Sequence, residues 1–204
     1  MKDVLITAML GLAFAIVLVR RRTVGIALLA AQSLALGLVA VELAGGRSGE
    51  ILVAAVLLGK AAVLPALLYL LIRRTPEARP VAAAAGPMVR LAAAGAVALS
   101  AVVLIPALGL GAPHTEHTAV ALVLVGVTIV IARRPILFQL LGLIVAENGL
   151  SLLAVSVPGG LSYVIEFGAL FDLALIVTVA AAFAQRIHTD TGTGDTELLR
   201  GLRD

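Results

Sequence analysis

The sequence predicts an all-α integral membrane protein with seven transmembrane helices, and three observations carry that expectation. The chain has 204 residues, of which 61% are apolar and only 13% charged. A soluble domain averages about half apolar and a quarter charged, so too little polar material is present here to coat a globular core. The apolar residues fall in long runs, and the basic residues fall in short clusters between them. A helix crosses the hydrocarbon layer with roughly 20 apolar residues, within a range of about 17–25.

The spans are expected at 3–19, 23–43, 51–72, 89–111, 118–132, 136–157 and 163–184. The first ends at Arg20, Arg21 and Arg22. A secretory signal carries its charge before the apolar run and ends in a small-residue cleavage site, so this span is expected to stay in the mature protein. The second span holds Gln32, Ser33 and, near its end, Glu42, while the third holds Lys60 and Pro65. The loop 73–88, with Pro76, Pro80 and Pro87, is the longest connection and divides three spans from four. Span four carries Ala92-Ala93-Ala94-Gly95, which reads as a close-packing surface, and Pro106. The fifth is the shortest and becomes adequate only if a turn at His114–His117 lies in the headgroup layer. Span six contains Gln139, Glu147, Asn148 and Ser151, and span seven contains Glu166 and Asp172. The resulting units are a three-helix half (1–72), the loop (73–88), a linker helix (89–111), a second three-helix half (112–184) and a polar tail (185–204).

Of the fifteen Lys and Arg residues, all but Lys2, Arg47 and Lys60 fall on one side of this alternation. The positive-inside rule then predicts an outside N-terminus and a cytoplasmic C-terminus. The pI near 10 therefore reflects topology, and no nucleic-acid partner is expected. The absence of cysteine excludes disulfides, thiolate metal sites and iron–sulfur ligation. His114 and His117 are expected in a loop without a third ligand, so no metal is assigned to them. No histidine lies at mid-span, which argues against a buried haem. Gly109-Leu110-Gly111 and Gly192-Thr193-Gly194 lack the strand–turn–helix context of a phosphate loop.

The chemistry lies in charges at membrane depth. Lys60, Glu147 and Asp172 fall near the middles of spans three, six and seven. A charged side chain at a helix centre costs about 2.5–3.5 kcal/mol on insertion scales, so such groups face a bundle interior or wet cavity and mark an ion or proton path. Desolvation disfavours the charged form of carboxylates and amines alike, which brings proton exchange within reach at such positions. The plain alternative is a buried pair that holds helices together. Glu166 and Glu42 lie near span ends, where a solvated interfacial charge is the competing reading. Glu166 and Asp172 are six residues apart, about 120° around the helix and about 9 Å in depth, so they are steps along a path and not a tight dyad. Pro65 frees the carbonyl of Ala61 beside Lys60, a local break of the kind that builds transporter sites, or else only a kink. Ser151 shares the face of Glu147, whereas Asn148 and Gln139 either hold water near the carboxylate or bond a neighbouring helix.

Gln32-Ser33-Leu34, Lys60 with Pro65, and Ala146-Glu147-Asn148-Gly149 opening into Leu152-Leu153 occur in an order and spacing that resembles the hydrogenase-4 component E family. Those proteins are membrane subunits of complex-I-related, group 4-type hydrogenases. The last three spans are also similar to the K-type subunit of NADH–quinone oxidoreductase and to the C subunit of multisubunit cation/proton antiporters. Glu147 matches the intramembrane Glu of the middle helix in those subunits, and Asp172 stands, one methylene shorter, where the K-type subunit has a second Glu. The resemblance implies a chain with no redox centre of its own, in a bacterial cell membrane. Its partners would be larger antiporter-like subunits and soluble hydrogenase subunits carrying the nickel–iron centre and iron–sulfur clusters. Glu147 and Asp172 would relay protons or cations, with Lys60 biasing their protonation through its charge. A C-type antiporter subunit and a free-standing transporter of three, one and three spans are the alternatives. A register that places Lys60 on Asp172 adds the expectation of a 3+1+3 parallel repeat.

Overall fold

A computed structural model describes residues 1–44, 48–74, 86–104, 106 and 112–157, with 173–174, 176–178, 180 and 182 of the last span. Every element among them is helical: α1 (Lys2–Leu18), α2 (Arg22–Leu43), α3 (Ser48–Arg74), α4 (Pro87–Leu104), α5 (Pro113–Ala132) and α6 (Ile136–Ser156). Five of these, α2 to α6, are long and apolar enough to cross a membrane, and α1 has 17 residues. In the last span Leu173 and Val177, one helical turn apart, are buried. Glu166 and Asp172 lie outside the described residues.

Two boundaries differ from expectation. The fifth helix starts at Pro113, so His114 and His117 are in its opening turns and not in a loop. Pro113 occupies the first helical position, where its missing amide costs nothing. The Glu116 carboxylate turns back to accept the amide of Ala112 at 3.3 Å, which fixes the start and gives α5 20 residues. The fourth helix is described as far as Leu104, and Pro106 is not helical, so it stands outside the helix. Pro65, by contrast, sits inside α3, which runs on for 27 residues.

The second helix is central: α1, α3 and α6 all pack on it. The fifth packs on α6, α4 and α1, and the α5–α6 seam is the most extensive. That seam depends on glycine. A Cβ at Gly126 would lie 2.5 Å from the amide nitrogen of Ala146, and one at Gly149 would lie 2.7 Å from the carbonyl of Ala119. The two backbones therefore touch directly, the close approach that small residues permit in membrane bundles.

The bundle is apolar on its surface as well as in its core, with a few polar groups enclosed inside. Leu70, Leu99, Val103, Ile131 and Leu150 are exposed, whereas Gln32, Ser33, Lys60 and Asn148 are buried. Apolar surface on this scale marks contact with lipid or with other chains. Hydrocarbon outside and polar groups inside are what a bilayer requires.

Candidate functional site

Five of the buried polar residues, Gln32, Ser33, Lys60, Asn148 and Ser151, gather near one level. Met9 lies beside the midpoint of α1, Gln32 and Ser33 at the midpoint of α2, Lys60 beside that of α3, and Glu147 and Asn148 beside that of α6. Their hydrogen bonds join these helices into a belt across the bundle.

At one end of the belt, Lys60 Nζ donates to Glu147 Oε2 in an ion pair between α3 and α6. Ser151, one turn beyond Glu147, donates its hydroxyl to Glu147 Oε1 at 2.8 Å, and its Oγ lies 3.5 Å from Lys60 Nζ. The sharing of one helix face by Glu147 and Ser151 follows from their i,i+4 spacing. The two charges are not equivalent: the Lys60 side chain is 1% exposed, whereas that of Glu147 keeps 16%. The ammonium is enclosed, and the carboxylate remains the accessible member.

At the other end, Asn148 Nδ2 donates to Gln32 Oε1 and to Ser33 Oγ, each at 3.1 Å. Gln32 Nε2 in turn donates to the carbonyl of Met9 at 2.9 Å. Asn148 Oδ1 is buried without a hydrogen-bond partner. Such an orphaned acceptor costs about 1–3 kcal/mol of desolvation and is the point in the belt where a further donor would be most welcome.

Of the two uses open to Asn148, the structure shows the bond to a neighbouring helix. Gln139 does not join this site: its Nε2 donates to the carbonyl of Arg133 at 3.1 Å, near the start of α6. Glu42 is at the surface, 3.8 Å from the N-terminal ammonium, an interfacial charge. Gln32 and Ser33 complete the belt although neither is ionisable. The signal for them was a pair of adjacent hydrogen-bonding residues midway along an apolar span. Among the described residues no three His, Asp or Glu side chains come together to hold a metal.

A second polar feature lies at the end of the bundle where α1 ends. Arg133, in the α5–α6 connection, donates Nη2 to the carbonyls of Ile16 at 3.4 Å, Val17 at 2.9 Å and also Val19. It thereby covers the carbonyls left open at the C-terminus of α1. Its guanidinium also lies over the ring of Phe138, 4.2 Å from the centroid. Burial, and then repulsion from Arg90 and Arg20, lowers Arg133 to about 10.

Compared with family models, curated proteins and solved structures, the chain matches none of them.

Proposed function

We propose that this chain is a non-catalytic membrane-arm subunit of a hydrogenase-like, complex-I-related respiratory complex in a bacterial cell membrane. Its work there is to carry protons, or another cation, past Glu147. The Lys60–Glu147 pair supports this reading most directly, because it places two opposite charges at mid-depth in helices of membrane-spanning length. A bilayer tolerates charges there chiefly where they serve transport.

In the resting arrangement the ammonium and the carboxylate are paired. A proton reaching Glu147 through its exposed side cancels that attraction and frees the ammonium. The Ser151 hydroxyl, already 3.5 Å away, then offers Lys60 a neutral acceptor. Reformation of the pair expels the proton. Asp172 and Glu166 extend the path toward the last span in this proposal. The N-terminus lies outside and the C-terminus in the cytoplasm, as the arginine clusters indicate.

The test begins with affinity purification through the C-terminal tail in mild detergent. Recovery of antiporter-like subunits with nickel–iron and iron–sulfur subunits is expected. Antiporter-like subunits alone would move the chain to the cation/proton antiporter class, and a partnerless chain would refute both readings. In the assembled complex, Glu147→Gln should reduce ion movement per electron while the partners still co-purify. The double variant Lys60→Met/Glu147→Gln leaves no unpaired charge and covers the case in which the single variant fails to assemble. Undiminished coupling in either variant overturns the relay.

A further inference from the structure

The ion path leaves the arginine cluster at the end of the bundle unexplained. Val17 of α1, Arg90 of α4, and Thr128, Ile129, Ala132 and Arg133 at the end of α5 line one narrow cleft. Its empty volume, counted to the open side, is about 160 Å³. Arg90 is 3% exposed and Arg133 5%. Arg90 Nε and Nη1 and Arg133 Nε are buried without a hydrogen-bond partner. Thr128 gives them no help, since its hydroxyl is committed to the carbonyl of Leu124 at 2.8 Å. Neither arginine is paired with a carboxylate among the described residues. Guanidinium groups stay charged at neutral pH, so this is a concentration of positive charge with idle donors and no counter-anion.

Capping of α1 accounts for one nitrogen of Arg133 and for nothing of Arg90. The remaining donors require an anion with several oxygens, and a phosphate meets the forked guanidinium geometry best. The flanks of the cleft indicate where that phosphate comes from. Met88 and Val89, just before Arg90, and Ile131, just before Ala132, are exposed. Apolar surface directly beside a basic cleft at the end of a bundle suits acyl chains below a headgroup. We propose that Arg90 and Arg133, with the exposed Arg20 nearby, bind the phosphate of an anionic phospholipid. The headgroup sits at the mouth of the cleft, and the Arg90 side chain turns outward to meet it, as long cationic side chains do at membrane interfaces.

The test is native mass spectrometry of the full chain in detergent micelles, with dioleoyl-phosphatidylglycerol, dioleoyl-phosphatidylcholine or inorganic phosphate as probe. Phosphatidylglycerol should be retained about tenfold more strongly than phosphatidylcholine, and Arg90→Gln should remove that preference, as loss of a charge-assisted fork implies. Arg73→Gln is the control, because Arg73 lies over the Tyr69 ring of α3, 4.8 Å from its centroid, and outside the cleft. It should leave the preference intact. Should Arg90→Gln fail to fold, Arg90→Lys and Arg20→Gln are each expected to weaken retention severalfold. Equal retention of the two lipids, or an Arg90 variant indistinguishable from the unmodified chain, overturns the site. Inorganic phosphate that displaces phosphatidylglycerol at equal concentration would make this a free-phosphate site and overturn the lipid assignment.

Discussion

Removing either member of the Lys60–Glu147 pair should destabilise the bundle, but by unequal amounts that the structure allows to be ranked. Glu147→Gln leaves an ammonium whose side chain is 1% exposed and whose remaining acceptors are neutral, the introduced amide oxygen and Ser151 Oγ at 3.5 Å. An uncompensated buried charge costs about 3–5 kcal/mol in soluble proteins, and about 2.5–3.5 kcal/mol at a membrane helix centre, so a loss of about 3 kcal/mol is expected. Lys60→Met leaves a carboxylate that is 16% exposed and still accepts from Ser151 at 2.8 Å. Its loss should be about half as large, because the remaining charge keeps a hydrogen bond and some solvent. The double variant has no charge to strand and should lose less than Glu147→Gln alone, which implies a coupling of about 1.5 kcal/mol or more. Reversible unfolding of the full chain in mixed micelles measures all three. Additivity within about 0.5 kcal/mol, or a larger loss for Lys60→Met than for Glu147→Gln, would refute the coupled pair and the asymmetry on which the proton cycle rests.

The remaining predictions concern the frame around that pair. Gly126→Leu should separate α5 from α6, since its Cβ alone would meet Ala146 N at 2.5 Å and Gly142 O at 2.6 Å. Overpacking of about 1–3 kcal/mol or more should appear in the same unfolding assay, and native stability would refute direct backbone contact. Asn148→Leu strands Gln32 Oε1, which loses its partner at 3.1 Å, and should cost about 1–2 kcal/mol. Arg133→Gln should open the last turn of α1, raising amide exchange there by roughly tenfold or more in hydrogen-exchange mass spectrometry. Glu42→Gln should leave stability within about 0.5 kcal/mol, because its nearest cation is the exposed N-terminus at 3.8 Å.

The helical character of the chain, in helices of membrane-spanning length, was legible because it is a bulk property. Hydrophobic run length needs no knowledge of neighbours, and it located four of the six described helices to within a few residues. Pro113 and Pro106 were harder, because a proline permits both a helix start and a helix stop, and the choice depends on local partners. For α5 that partner is the Glu116 carboxylate on the Ala112 amide. The site was legible to different degrees for a similar reason. Lys60 and Glu147 stand out alone, since a charge at mid-span is expensive wherever it points. Their mutual pairing was open, because spacing along one helix says nothing about the azimuth of another. Gln32 and Ser33 are neutral and cheap to bury once bonded, so composition alone drew no attention to them. The packing role of Gly126, Gly142 and Gly149 was silent in an alanine- and glycine-rich chain, because it depends on the opposing backbone.

The packing order explains why the pair consists of a long cation and a short-reaching acid. The third and sixth helices each pack on α2, and neither has its main contact with the other. A bond between them must therefore span a gap beside α2. The four-carbon stem of lysine crosses it from the α3 side, and Glu147 needs to extend only from α6. The same arrangement lets Gln32, Ser33 and Asn148 join α2 to α6 without lysine, so the helices stay together when the ion pair opens. Two kinds of bond are thus divided between neighbouring residues of α6: Asn148 supplies neutral bonds to α2, while Glu147 makes the charged bond to α3. Under the proposed relay this separation matters, because protonation of Glu147 would free Lys60 without removing the bonds between α2 and α6.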